Sequence, residues 1–131
     1  MLYHRNKSLT TVVLEKDSER RSRFWREWLD FFYLSENKQD ILQDEPPLTG
    51  TVWDAIVAAG VAWLARKADL TVPLWTVGRS AKEPWWGNFD PKSKSASINQ
   101  VLAPPEFFSR NLFVSAKFMY RARMPVEWIE K

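Results

Sequence analysis

The sequence feature that most constrains the fold is an acidic break with two consecutive prolines, which reads Asp44-Glu45-Pro46-Pro47-Leu48-Thr49-Gly50. A residue that precedes proline avoids the α-helical region of the backbone, so a helix that enters this segment has to end within it. We therefore predict a short helix from Glu36 to Gln43 and a new helix after the prolines. The break thus separates two helices in the middle of the chain.

The helix that follows the break is strongly apolar. Thr49 or Thr51 is placed to cap its first turn, and Asp54 stands at capping-box spacing from Thr51. Its apolar residues fall on one helical stripe, namely Trp53, Ile56, Val57, Gly60 and Leu64. Because few of its side chains are polar, we predict that this is the central helix and that its small residues let a neighbour approach closely.

A second long helix is predicted upstream, beginning at Ser18 with Asp17 or Ser18 as its cap. Its apolar residues follow helical spacing: Phe24, Trp25, Trp28, Leu29, Phe31, Phe32 and Leu34. Residues 1 to 17 contain a β-like run from Leu9 to Leu14. This run predicts an edge strand, a short hairpin or a loosely held arm ahead of the helices.

Beyond Asp69, prolines and glycines interrupt every candidate element, so we predict a long irregular connector rich in Trp and Pro. Its aromatic content is too large to leave in water, and we expect it to lie against the helices. Further helices are predicted to open at Pro104-Pro105 and at Ser115, with these side chains directed inward: Phe107, Phe108, Phe118 and Met119. The expected fold is mainly α, a compact helical domain of about four to five helices that spans residues 18 to 131.

Composition excludes several classes of catalytic and metal site. The 131 residues include no Cys, which removes disulfides, zinc-thiolate sites and thiol catalysis. His4 is the only histidine, so a histidine-dependent triad or a multi-histidine metal site is excluded within one chain. No signal peptide is readable, and the longest apolar run, residues 55 to 65, is too short to span a bilayer. We expect a cytoplasmic protein without a bound cofactor or metal.

Carboxylates are the remaining candidates for acid-base or metal chemistry. Asp40 and Asp44 have the spacing of one helical face, and with Glu45 they offer oxygen ligands of the kind that Mg²⁺ prefers. The alternative is an acidic patch on a surface helix, which such spacing indicates more often. Asp54 lies in an apolar helix, where it is either a functional carboxylate or an N-terminal capping group, and we favour the cap.

Charge is distributed unevenly along the chain. The net charge is +4 for residues 1 to 26, −6 for residues 27 to 54 and +5 for residues 55 to 131. The basic ends carry five candidates for contact with nucleic-acid phosphates: Arg20, Arg21, Arg23, Arg121 and Arg123. A solvated surface is the leading interpretation of these arginines. The acidic segment from Glu36 to Glu45 instead fits a basic site on a partner.

The tetrapeptide Trp85-Trp86-Gly87-Asn88 is the candidate recognition loop. Exposed tryptophans are frequent anchors of protein interfaces, which favours a ligand-stacking or partner-docking role for Trp85 and Trp86. A hydrophobic lid over the helices is the competing interpretation, and the sequence favours the lid.

Several short motifs carry a family resemblance, and they occur in the same order along residues 24 to 123: the acidic double-proline break, Trp53-Asp54-Ala55, Pro73-Leu74-Trp75, Trp85-Trp86 and Arg110-Asn111-Leu112-Phe113-Val114. In these motifs the chain resembles a small, largely uncharacterised domain of actinobacterial proteins, which often follows an Xre-type helix-turn-helix. The family's genes look like regulatory or toxin-antitoxin components. Because the first 23 residues are too few for a helix-turn-helix, the resemblance does not extend to sequence-specific DNA binding.

These observations lead to three functional hypotheses. The first is a non-catalytic protein-interaction domain, antitoxin-like or regulatory, that binds a partner protein such as a toxin enzyme through Trp85, Trp86 and the acidic side chains of Asp40, Asp44 and Glu45. The second is a small carboxylate-dependent enzyme, metal-assisted, that uses Asp40, Asp44 or Asp54. The third is an accessory domain that contacts nucleic acid through its terminal arginines.

Overall fold

The computed structural model describes residues 8–129, and in this range the regular structure is helical, without strands. Six α-helices are α1 Leu9–Leu14, α2 Ser18–Leu34, α3 Lys38–Leu42, α4 Trp53–Lys67, α5 Lys94–Leu102 and α6 Pro105–Phe108. Three short 3-10 helices are Leu74–Thr76, Ala116–Met119 and Val126–Trp128. The predicted mainly α fold is confirmed, with one α-helix more than expected in this range. His4 lies outside the described residues.

The β-strand predicted for Leu9 to Leu14 is wrong, because this run forms α1. Ser8 caps the helix by accepting a hydrogen bond from the Thr11 backbone N–H at 3.2 Å. Leu9, Val12 and Val13 are buried against α2 and α4, which is the spacing of one helical face. Packing therefore outweighs the β propensity of its valines and threonines. This part of the arm predicted for residues 1 to 17 belongs to the helical core.

The helix α2 begins as predicted, with Asp17 accepting a hydrogen bond from the Arg20 backbone N–H at 2.9 Å. Its inner face is aromatic: Trp25 and Trp28 stack with ring centroids 5.5 Å apart, and Phe32 follows at 6.0 Å from Trp28. Leu34 is exposed, contrary to the predicted apolar face, because it lies at the end of the helix and off the buried side. Aromatic area along α2 supplies much of the core.

The helix α4 is central, as predicted, since every residue from Trp53 to Ala65 is buried. The close approach expected at its small residues occurs at Gly60. A side-chain carbon added at this position would lie 2.6 Å from Cη2 of Trp25 and 3.3 Å from Cε of Met119. The absence of a side chain at Gly60 therefore lets the side chains of Trp25 and Met119 pack directly on the α4 backbone.

The connector, residues 70 to 93, is irregular apart from the 3-10 helix Leu74–Thr76, and it lies against the helices as predicted. The Trp85 backbone N–H donates to Asn111 O at 3.0 Å and its carbonyl accepts from Phe113 N–H at 2.8 Å, which makes an isolated parallel bridge. A further backbone bond runs from Ala81 N–H to Arg110 O at 3.0 Å. These bonds satisfy backbone polar groups that an irregular segment otherwise leaves unpaired.

Side chains from the same C-terminal motif tie down the connector. Arg110 Nη2 donates to Thr76 O at 3.1 Å, and Asn111 Nδ2 donates to Ala81 O at 3.3 Å. Burial lowers the pKa of the Arg110 guanidinium from its ordinary value. Asn111 adopts a positive φ of 69°, which asparagine tolerates better than most residues. The Arg110-Asn111 pair thus has a structural role.

The C-terminal helices are shorter than predicted. The helix opened by Pro104-Pro105 ends at Phe108, and Ser115 caps a 3-10 helix, Ala116–Met119, instead of an α-helix. Phe107 and Met119 are fully buried as predicted, whereas Phe108 is exposed. The hydroxyl of Tyr33 donates to Met119 O at 2.8 Å, and burial raises the pKa of this phenol.

Within residues 8–129, the helices lack either the length or the apolar character that crossing a membrane requires. The longest apolar helix, α4, owes its composition to its position in the core.

Replacing Gly60 with Ala tests the close approach of the Trp25 ring to α4. Helix propensity alone favours alanine by about 1 kcal/mol, but overpacking a filled core costs about 1 to 3 kcal/mol. We therefore expect Gly60→Ala to lower the free energy of unfolding by up to about 2 kcal/mol, measured by urea denaturation.

The matched control makes the same change in a Trp25→Phe background, where the smaller ring leaves room for the methyl group. There the substitution is expected to be neutral or stabilising. Equal losses in both backgrounds would show that the contact between Gly60 and Trp25 does not limit the packing.

Candidate functional site

Among residues 8–129, Val52 and Trp85 line two clefts on the surface. The first cleft, about 700 Å³, lies between the acidic double-proline break and the connector. The second cleft, about 770 Å³, lies between α2, α5 and the C-terminal 3-10 segment. Both volumes fall in the range of about 300 to 1,000 Å³ that is typical of ligand pockets. Trp85 therefore stands at the centre of the candidate functional surface.

The first cleft has an apolar rim. Leu48, Leu74 and Val77 line it, and their exposed fractions are 70%, 87% and 71%. Glu45, Asp54 and Glu83 add negative charge to the lining, and Arg79 and Lys82 add positive charge. Three large apolar side chains exposed together in one concave surface are typical of an interaction site, whereas single exposed apolar residues are ordinary.

Arg79 fixes the wall of the first cleft. Its side chain is buried, and Nη2 donates to Glu45 Oε2 at 3.0 Å and to Pro46 O at 2.9 Å. The guanidinium also lies 4.9 Å from the ring centroid of Trp75. Because Glu45 is largely exposed, the ion pair itself adds at most about 1 kcal/mol, and its main effect is to hold the connector against the double-proline break.

Asp54 has the capping role that the sequence favours. Its carboxylate accepts hydrogen bonds from the backbone N–H of Thr49 at 2.9 Å and of Gly50 at 2.8 Å, and from the Thr49 hydroxyl at 2.8 Å. The N-cap residue is Val52 and neither Thr49 nor Thr51, but the Thr51 hydroxyl accepts a hydrogen bond from the Trp53 backbone N–H at 3.3 Å, as a capping side chain does. Gly50 needs its positive φ of 77° to bring its N–H to this carboxylate.

The acidic candidates are only partly brought together. Glu45 and Trp85 line the first cleft, whereas Asp40, Asp44 and Trp86 are absent from its lining. Asp40 and Asp44 are exposed at α3 and immediately after it. Among residues 8–129, no group of three or more His, Cys, Asp or Glu side chains has an arrangement that could hold a metal ion.

Trp85 and Trp86 are each half-buried, which is compatible with both predicted roles of this loop, a hydrophobic lid and a docking surface. Trp85 packs edge-on against Phe118, with ring centroids 5.9 Å apart. Trp86 packs against Phe113 at 4.7 Å. Each ring therefore covers part of the core and presents the remainder to solvent, and only Trp85 faces the two clefts.

The arginines proposed for nucleic-acid contact differ in how far they are already engaged. Arg121 forms a two-point ion pair with Asp30, with both N···O distances 2.8 Å, and this hydrogen bonding raises its pKa. Arg20 lies 3.8 Å from Glu15, and Arg23 lies over the Phe24 ring. Arg123 is exposed. The charge that Arg121 offers to a phosphate is thus largely balanced within the protein.

Arg21 has a different environment from the other arginines. It is half-buried in the lining of the second cleft, with its guanidinium 5.1 Å from the Trp53 ring centroid. Its Nη1 donates to Glu15 O at 3.1 Å. Arg21 is therefore part of a concave site and less suited to a flat phosphate-binding surface.

No protein-family model, curated protein or solved structure matches this chain. The resemblance to the actinobacterial domain accordingly stays a prediction. Function is therefore inferred from the geometry of the two clefts.

Arg79 and the exposed trio Leu48, Leu74 and Val77 are not among the residues predicted from the sequence. Arg79 pairs with residues more than thirty positions earlier, and nothing in a single sequence reveals such a pairing. For Leu74 and Val77 the sequence does contain an indication. They are large apolar residues between Pro73 and Gly78, in a segment too irregular to bury both.

Asp54→Ala tests the structural role of this carboxylate. The change leaves the N–H groups of Thr49 and Gly50 without their acceptor, and we expect it to lower the free energy of unfolding by about 1 to 2 kcal/mol. Asp40→Ala and Asp44→Ala are matched controls at exposed positions, with expected changes within about 0.5 kcal/mol. Urea denaturation of the three variants gives the comparison, and equal stabilities would contradict the capping role.

Proposed function

We propose that this protein is a non-catalytic interaction domain, antitoxin-like or regulatory, whose first cleft receives an apolar segment of a partner protein. The observation that carries the proposal is the joint exposure of Leu48, Leu74 and Val77 in one concave surface. Covering a side chain of this size contributes about 1.5 to 3 kcal/mol, so the three together offer a large part of the affinity of a complex. Trp85 forms the inner wall of the same cleft, where an aromatic anchor has the greatest effect.

Charge at the cleft indicates what should flank the apolar segment of the partner. Glu45 and Glu83 are exposed carboxylates in the lining, and the acidic residues Asp40 and Asp44 precede Glu45 along the chain. A partner with Lys or Arg beside its apolar residues would match this side. Such exposed charges mainly accelerate and orient the encounter, while apolar contact supplies the affinity.

The geometry favours this function over the two alternatives. Asp54 holds backbone N–H groups, and Asp40 and Asp44 lie outside both cleft linings, which weakens the case for a carboxylate-dependent enzyme. The ion pair of Arg121 with Asp30 weakens the case for nucleic-acid binding. The proposal keeps the expected cytoplasmic location and a partner such as a toxin enzyme.

The test is a binding measurement with variants of the cleft rim. A tagged protein expressed in its native host identifies partner candidates by co-purification, and each candidate is then purified and titrated by calorimetry. The double variant Leu74→Asp with Val77→Asp is expected to raise the dissociation constant roughly a hundredfold, because two apolar contacts are lost.

Val101→Asp is the matched control, since Val101 is comparably exposed, at 84%, and lies outside both cleft linings. It should bind like the wild type. Glu83→Gln should slow association and reduce its dependence on salt. A partner that binds the double variant and the wild type equally, or the absence of any saturable partner, would contradict the proposal.

A further inference from the structure

We propose that the second cleft is a binding site for a small apolar carboxylic acid, a ligand that is independent of the protein partner at the first cleft. Three observations lead to this inference: apolar walls that remain open, an exclusively positive set of charged lining residues, and two buried hydrogen-bond donors without partners. Each concerns residues of the second cleft.

The walls of the second cleft fit an apolar ligand. Trp53, Trp85 and Phe118 line it from inside, and Phe89, Ile98 and Leu102 line its outer part, where they are exposed. Aromatic and aliphatic side chains around a concavity of about 770 Å³ are typical of small-molecule sites. An apolar body of the ligand would cover the exposed members of this wall.

The charged side chains identify the polar end of the ligand. Arg21, Arg26 and Lys117 line the second cleft, and its lining includes neither Asp nor Glu. A site with positive charge alone favours an anion. Among anions, a carboxylate matches the fork of donors that an arginine guanidinium presents.

Two donors in the lining residues require an acceptor. Arg21 Nε and Trp25 Nε1 are buried and have no hydrogen-bond partner among residues 8–129. The two residues are one helical turn apart on α2, so they share a face of that helix. Buried polar groups are nearly always paired in folded proteins, so these two donors favour an acceptor bound beside this face of α2.

The arrangement favours a small molecule over a nucleic acid. Binding along a nucleic-acid backbone uses cations that follow a groove together with stacking surfaces open to successive bases. Here the cations border a single concavity, and Trp25 is almost fully buried beneath it. A molecule with one anionic group and a compact apolar body fits this geometry.

Isothermal calorimetry of the full chain tests the inference with matched probes. Octanoate and phenylbutyrate carry the carboxylate on an aliphatic or an aromatic body, and octanamide and phenylbutyramide are their neutral counterparts. We expect at least one acid to bind with one-to-one stoichiometry and at least about tenfold more tightly than its amide, since a charge-assisted hydrogen bond is lost in the amide. Tryptophan fluorescence should change on binding, because three tryptophans line the cleft.

Variants assign the binding to the second cleft. Ile98 and Val101 both lie on α5 and are 56% and 84% exposed, but only Ile98 lines the cleft. Ile98→Asp should weaken acid binding at least about tenfold by charge repulsion, whereas Val101→Asp should not change it. Arg21→Lys, which keeps the charge and removes Nε, should also weaken binding. If circular dichroism shows that Arg21→Lys does not fold, the comparison of Ile98→Asp with Val101→Asp assigns the binding site.

Several outcomes would overturn the inference. These are no binding by either acid, equal affinity of acid and amide, and equal effects of Ile98→Asp and Val101→Asp. The double variant at Leu74 and Val77 should leave acid binding unchanged, so failure of this site and failure of the protein-docking proposal are distinguishable. A loss of acid binding in that double variant would place the acid in the first cleft and contradict the assignment.

Discussion

The contact on which the rest of the structure depends is the packing of the Trp25 ring against the backbone of Gly60. It connects α2 to the central helix α4 through the Trp25 side chain, and further aromatic rings extend this contact outward. Trp25 lies 6.2 Å from Phe118, and Phe118 lies 5.9 Å from Trp85, measured between ring centroids. Because Trp85 lines both clefts, these ring contacts connect the close approach in the core to the wall that the clefts share. Dense packing of this kind transmits small changes in side-chain volume over several residues.

The acidic double-proline break has a second organising role, which depends on two charged side chains that are themselves buried. Asp54 accepts hydrogen bonds from the N–H groups of Thr49 and Gly50 at the start of α4. Arg79 donates hydrogen bonds to Glu45 and to the Pro46 carbonyl. The Asp54 carboxylate and Nη2 of Arg79 are both hydrogen-bonded, since a buried charge without a partner would be costly. Together they hold the segment that carries Leu48 in place opposite the connector. The exposed apolar surface of the first cleft thus depends on the hydrogen bonds of two buried polar side chains.

The parts of the fold that follow from local pattern could be predicted from the sequence, and the parts that depend on distant contacts could not. The boundaries of α2 and its Asp17 cap follow from periodicity and capping chemistry, and the double proline correctly separates α3 from α4. The helix α1 was missed because its β-branched residues favour a strand until α2 and α4 bury them. The candidate site was found only in part: Trp85 and Glu45 were identified, but Arg79, Leu74 and the unpaired donors of Arg21 and Trp25 depend on residues brought together by the fold.

The functional account requires that the irregular connector be a fixed wall in the isolated protein, because both clefts are shaped by it. Backbone bonds to residues 110 to 113 are what would fix it. Amide hydrogen exchange followed by NMR measures this directly at Ala81, Trp85 and Phe113. The account predicts protection of these three amides well above that of an unstructured peptide, comparable to amides within α4. Exchange at the rate of an unstructured chain would show that the clefts are not preformed and would contradict the account.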